Sequence, residues 1–267
     1  MAARTLRCLV VAVVAAGFVS LPLAAQIPEK FENLQVLPKD IHRDTLTQIM
    51  RGFTMSLGVR CQFCHVERAP AAGAPGGGGG GGGGGCGGGG GLNFDFFKDD
   101  KDNKKIARHM LKMVDSINNK FLASIPNRDD PPTTINCATC HRGLMKPTTI
   151  EAVLLTTTER SGVDSAIARY RLLRNDMAAG RYNFSEQPVG EVARRLSAQG
   201  KHSEAIKLLE MLQEFYPSSV NIDFQIAELH IAAGNRDQGV ARYRAVLAKN
   251  PNDRRAQQAL QRLGVQP

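Results

Sequence analysis

The chain has no tryptophan, and aromatic residues make up only 6% of it. Beyond residue 25 it also lacks an apolar run approaching the roughly 20 residues that span a bilayer, so no later transmembrane segment is predicted. Charge of one sign is nowhere concentrated. The formal balance is +9, of which Arg4 and Arg7 contribute two, and the remainder is interspersed with acidic residues. A nucleic-acid footprint needs a basic stripe with motif support, so no nucleic-acid partner is expected and the charges read as solvated surface. There is no P-loop, no G-x-S-x-G and no paired-carboxylate motif, so the sequence carries no signature of phosphoryl transfer or of a serine hydrolase. What it does have is length and apolar content, 267 residues at 42% hydrophobic, enough for one large or two modest domains with a buried core.

Residues 1–25 stand apart. Arg4 and Arg7 precede the apolar run Leu9 to Val19, and Leu21, Pro22 and the small pair Ala24-Ala25 follow. That order of basic, apolar and small residues is a secretory signal pattern and predicts an exported, periplasmic protein. The alternatives are a retained N-terminal anchor or attachment to a membrane through partners. Residues 76–91 hold 15 of the 27 glycines, broken only by Cys86. Such a tract loses too much backbone entropy on ordering to form a packed element, so it reads as a flexible insert. Cys86 then reads as an exposed, inert thiol, with an intermolecular disulfide as the alternative.

Four other cysteines fall into two copies of one pattern, Cys61-Gln62-Phe63-Cys64-His65 and Cys137-Ala138-Thr139-Cys140-His141. Each follows a helical period: Leu46, Ile49, Met50, Phe53 and Leu57 before the first, and Ile106, Met110, Met113, Val114, Ile117 and Phe121 before the second. Asp40, and Asp102 or Asn103, are the predicted helix starts. C-x-x-C-H is the attachment signature of c-type haem. Its two thiols add across the porphyrin vinyl groups and its histidine reaches the iron. Zinc held by four thiolates and a redox dithiol are the competing readings, and the histidine that follows each pair favours haem over both. Two covalent haem c groups are therefore expected, attached through Cys61, Cys64, Cys137 and Cys140, with His65 and His141 as proximal iron ligands.

Distal ligands are sought among upstream methionines. Met50 lies eleven residues before Cys61 with Gly58 between them to turn the chain, whereas Met55 has less chain to return with. Superposing the two helices on Met50 and Met110 places Leu46 over Ile106 and Phe53 over Met113. The readings are thus Met50 for the first haem and Met110 for the second, with Met113 as the fallback.

After residue 147 the period changes. Pro217 and Pro251 are 34 residues apart, and the same offset relates Gly200 to Gly234, Ala193 to Ala227 and Leu209 to Tyr243. Thirty-four is the tetratricopeptide period of paired antiparallel helices. Residues 148–163 read as a linker, 164–177 as an incomplete first helix, and 253–263 as a capping helix. The predicted architecture is all-α, with a dihaem domain over 26–147 and a short helical solenoid over 164–267.

The segments "LPKDIHRDTLTQIMRGFTMSLGVRCQFCHV", "KKIARHMLKMVDSINNKF" and "INCATCHRG" resemble the haem-binding segments of the photosynthetic reaction-centre cytochrome c subunit family. The resemblance covers roughly residues 31–147. In that family a helix bearing the axial methionine precedes C-x-x-C-H, which implies the pairs Met50 with His65 and Met110 with His141. The chain departs from the family in having two motifs rather than four, in placing Ser124 where a distal histidine for a further haem is expected, and in its helical repeats. The haem fold carries over better than a photosynthetic role. The leading expectation is an electron carrier rather than an enzyme, working between redox partner proteins and docking to a membrane complex or another protein through its repeats. A dihaem peroxidase, and a haem-containing scaffold or redox sensor, are the alternatives.

Overall fold

The computed structural model describes residues 30–67, 94–175 and 180–266. The signal pattern, the 76–91 tract, Cys8 and Cys86 lie outside the described residues. Among these residues the regular structure is almost wholly helical, with ten α-helices and one two-stranded ribbon. It divides into two compact units, one made of residues 1–48 and 60–112, the other of 49–59 and 113–267.

The first unit is organised around residues 60–67 and 94–112. Cys61–Phe63 forms one turn of 3-10 helix, and strand β1 (Val66–Glu67) follows at once. β1 pairs antiparallel with β2 (Phe94–Asp95), Val66 opposite Asp95 and Glu67 opposite Phe94. The ribbon thus pairs residues 66–67 with 94–95 directly after the first motif. Helix α1 (Arg43–Leu57) begins in this unit, with Asp44 in its first turn, where a negative charge suits the helix dipole. Its Leu46 is buried. Helix α2 (Asp102–Ser116) starts where the sequence placed it.

In the second unit the chain of α2 continues as a π-helical turn over Ile117–Leu122. Single π turns of this kind occur mostly as bulges within α-helices, often at functional sites. A five-residue helix, α3 (Cys137–His141), carries the second motif. Seven helices follow: α4 (Ile150–Ser161), α5 (Val163–Asn175), α6 (Glu186–Ala198), α7 (His202–Gln213), α8 (Val220–Ala232), α9 (Arg236–Lys249) and α10 (Arg254–Arg262). They pack as three successive hairpins, α4 on α5, α6 on α7 and α8 on α9, with α10 closing the last. Gly162, Gly200 and Gly234 turn the three hairpins with φ of 83°, 77° and 80°, a left-handed conformation that only glycine adopts without penalty.

Helix α4 lies inside residues 148–163, where the sequence suggested a linker. Thr149 caps it by accepting from the Ala152 amide, and Ile150, Leu154 and Thr158 point one buried face into the core. That core runs continuously through Tyr170, Val192, Leu208, Leu212 and Ile226. A second cluster around Phe224, Tyr243, Val246 and Leu260 seats α10. At the α8–α9 crossing Gly239 lets the helices approach closely: a Cβ there would lie 2.4 Å from Ile231 Cδ1 and 3.2 Å from the Ala227 carbonyl oxygen, so the Ile231 side chain would have to shift. Asp223, almost fully buried, is neutralised by the Lys249 ammonium at 2.6 Å and accepts from Gln213, joining three helices. No described helix is long and apolar enough to cross a membrane.

Candidate functional site: two Cys-x-x-Cys-His segments

Both motifs fold as single helical turns, which places the two cysteines of each on one side with the histidine next to the second. In the first, the amides of Cys64 and His65 both donate to the Cys61 carbonyl, at 3.1 and 2.9 Å. The start of α2 clamps this turn. Lys101 Nζ donates to the Gln62 carbonyl, and Asn103 Nδ2 donates to the Phe63 carbonyl at 3.1 Å. Lys104 donates to the carbonyls of Phe96 and Lys98 at 2.9 and 2.7 Å, fixing the loop after β2. Phe96 of that loop meets the His65 ring edge-on, with centroids 4.9 Å apart.

His65 is therefore enclosed and flanked by positive charge. Burial, reinforced by Lys104 and Lys101, lowers its pKa to about 4, so the imidazole is neutral at physiological pH. Its Nδ1 is buried with no hydrogen-bond partner among the described residues, unlike His141. Burial also pushes the Cys64 thiol up, against the opposing pull of Lys101 and Lys104. Cys64, Cys137 and Cys140 are free thiols. Cys61 is disulfide-bonded, and two-electron reduction of that bond by an external thiol reductant would return the S–H that a thioether needs.

The second motif is built by local capping. Asn136 caps α3, its side chain accepting from the Thr139 amide while Thr139 Oγ1 accepts from the Asn136 amide. Upstream, Asn118 in the π-helical turn exchanges two hydrogen bonds with Ile135, each 2.8 Å, through its own side-chain amide. That pairing holds the extended approach to the cap. After His141 the chain turns sharply through Arg142 and Gly143, with φ of 47° and 79°. The turn brings the Leu144 carbonyl 2.8 Å from His141 Nδ1. A carbonyl can only accept, so Nδ1 carries the proton and Nε2 keeps the lone pair, the tautomer that a metal ligand needs. Burial raises the Cys137 thiol, offset in part by a hydrogen bond from its own backbone amide and raised further by the Cys140 sulfur.

The predicted distal ligands fall on α1 and α2. Met50 is half-buried, whereas Met55 is 75% exposed. On α2, Ile106, Met110 and Met113 are all exposed and stand at i, i+4 and i+7, an apolar stripe along one face. Phe121 and Ile125 beyond the helix are exposed as well. An apolar stripe bearing thioethers suits the face of a porphyrin. The division into units runs through both helices: Met50 and His141 belong to the second, His65 and Met110 to the first, and Met113 shares the second with His141.

No group of three or more His, Cys, Asp or Glu side chains converges among the described residues to hold a bare metal ion. A haem site requires no such group, since the porphyrin supplies four nitrogens and the protein only the axial pair. The donor set, the His141 tautomer and the apolar stripe fit haem.

One feature carried no signal in the sequence. Asp99 accepts two hydrogen bonds from the Arg108 guanidinium, at 2.7 and 2.9 Å, and one from Asn33 at 2.9 Å, and Lys104 Nζ lies 3.0 Å away. These contacts, led by Arg108, hold its carboxyl well below the usual range. Because Lys104 also braces the loop carrying Phe96, Asp99 indirectly supports the wall against His65.

Comparison with known proteins places these segments. Residues 85–207 match the family described as photosynthetic reaction centre cytochrome C subunit, and residues 196–263 match the tetratricopeptide repeat. The first match contains the second motif and α2, while Cys61–His65 precedes it. No curated protein matches the chain. Among solved structures, one described as the first TPR of Spaghetti (RPAP3) bound to HSP90 peptide SRMEEVD is similar at 14% identity. It covers 43% of this chain and 87% of that one, with a TM-score of 0.30, too low to bear on fold or function. The chain thus joins a segment matching the reaction-centre cytochrome C subunit family to one matching tetratricopeptide repeats.

Proposed function

We propose that this chain is an exported dihaem c-type cytochrome that passes single electrons between redox partners, with its helical repeats as the docking module. The observation that carries the reading is the pair of C-x-x-C-H turns, one with a neutral, enclosed His65 and the other with His141 fixed in the ligating tautomer. Bound haem would supply a one-electron iron couple. The chain's own part is to hold and tune it. Addition of a thiol S–H across a vinyl double bond needs no oxidant, and Cys64, Cys137 and Cys140 are free for it. Leu144 orients His141, and Lys101 and Asn103 fix the turn that presents His65. Met50 and Met110 would hold the irons together with His65 and His141, and thioether ligation would raise the reduction potential relative to a second histidine and favour electron transfer over peroxide chemistry. The match to tetratricopeptide repeats supports a protein or peptide partner for the C-terminal helices.

The test is expression with periplasmic haem attachment, followed by intact mass and pyridine haemochrome quantification. Two covalent haems per chain are expected. Replacing Cys137 and Cys140 with alanine should remove one of them, and an unchanged mass increment in that variant would overturn attachment at the second motif.

A further inference from the structure

Gly58 precedes the first motif in the chain, yet its backbone lies against the turn that follows the second. Its φ is 64°, and a Cβ placed on it would sit 2.2 Å from the Gly143 carbonyl oxygen and 3.1 Å from the carbonyl carbon. Real Cβ atoms do not approach backbone that closely, and neither partner is the movable end of a side chain. The contact is bonded as well as tight: the Gly143 amide donates to the Ser56 carbonyl at 2.8 Å. On its own side Gly58 closes α1, with the Val59 amide donating back to the Thr54 carbonyl at 3.1 Å. Gly143 in turn stands between His141 and Leu144, whose carbonyl fixes the His141 ring.

We infer that Gly58 is a positioning residue for the second haem site. A side chain at Gly58 must displace the Gly143 peptide, and the Leu144 carbonyl is attached to the very next residue. Moving that carbonyl releases His141 Nδ1 and with it the tautomer and aim of Nε2. The left-handed backbone at Gly58 offers a simpler explanation of why glycine stands there, and the two explanations can be separated. Asparagine tolerates a left-handed conformation but carries the offending Cβ. If backbone conformation alone matters, Gly58→Asn is mild; if the crossing matters, it is not.

This inference rests on the haem reading above. The experiment uses the full chain with Cys61→Ser and Cys64→Ser, so that only the second motif can carry haem, and adds Gly58→Asn. Haem on the Cys137–Cys140 peptide is read by mass, and its potential and ferric spectrum are read where it is retained. Gly52 lies on the same helix with nothing within 4 Å of its Cβ, so Gly52→Asn is the control. At Gly143 an added Cβ meets only the Arg181 guanidinium, at 3.1 Å from Nε, so Gly143→Asn should be milder than Gly58→Asn.

The expected result is a loss of haem at Cys137–Cys140 of about tenfold in Gly58→Asn, the scale on which disturbed outer-shell contacts act, or a shifted potential and spectrum in what remains. Gly52→Asn should match the parent. Faster hydrogen exchange of the Gly143 amide in Gly58→Asn is expected whether or not haem is present. Unchanged haem content, spectrum and exchange in Gly58→Asn would overturn the inference alone. A parent chain with no covalent haem on that peptide would overturn the haem reading, and the inference with it. If Gly143→Asn were the more damaging of the two, the crossing would not be the cause.

Discussion

Asp99 gathers four side chains, from Arg108, Lys104, Asn33 and Gln35, and none of them is a sequence neighbour. Asn33 is 66 positions away and Arg108 nine, so no local pattern could announce the cluster. Cys61, Cys64 and His65 are the opposite case: their chemistry needs a fixed short spacing and is therefore visible in the sequence alone. Gly58 falls between the two, legible as a helix stop but not as the seat of a backbone crossing. For Asp99 a pH dependence follows. The folded-state carboxyl is held below its unfolded value, chiefly by Arg108, so its contribution is complete above the unfolded pKa near 3.9 and is lost as pH falls through the depressed folded value. Asp99→Asn removes the charge while keeping the shape. It should destabilise the first unit by about 1 kcal/mol at neutral pH, a half-exposed network being weaker than a buried one. Denaturant titrations at pH 7 and pH 3 should show the difference between wild type and Asp99→Asn shrinking at the lower pH. A difference that stayed constant would remove Asp99 as its source.

At the scale of elements the 34-residue period was readable because glycine and proline punctuate it, at Gly200, Pro217, Gly234 and Pro251. Helix α4 was not. Its run Thr156-Thr157-Thr158 dilutes the apolar face, and one of its three buried positions is a threonine. With α4 the hairpins number three, the usual minimum for a solenoid. The buried face of α4 is then a structural part of the repeats rather than a tether. Leu154 is fully buried, so Leu154→Ala should cost the repeats about 3 kcal/mol in urea unfolding followed by circular dichroism. Thr158→Val is the informative contrast. The Thr158 hydroxyl is buried with no partner among the described residues, and exchanging it for a methyl of similar shape should be neutral or stabilising. A loss below about 1 kcal/mol for Leu154→Ala would return residues 150–161 to the status of a linker, since truncating a packed core leucine costs more than that.

For the molecule as a whole the question is what sits opposite each histidine, because that decides between a carrier and a peroxidase. Met50 is half-buried on α1, while Met110 and Met113 are 37% and 44% exposed on one face of α2, so exposure alone does not choose between the last two. The superposition of the two helices favours Met110. A thioether stabilises ferrous iron, and replacing it with an imidazole lowers the potential of that haem. Met50→His and Met110→His should therefore each move one redox wave downward with both haems retained, while Met113→His leaves both waves close to wild type. Spectroelectrochemical titration reads all three. With Met50 and Met110 as the second protein ligands neither iron would offer an open position, so the wild-type protein should bind carbon monoxide slowly and turn over peroxide poorly. If Met113→His alone moves the second wave, electron transfer survives and the ligand assignment passes to Met113, which shares a unit with His141. Rapid carbon monoxide binding at one haem, together with efficient peroxide turnover, would falsify the closed-site reading and make the chain a peroxidase with a repeat domain attached.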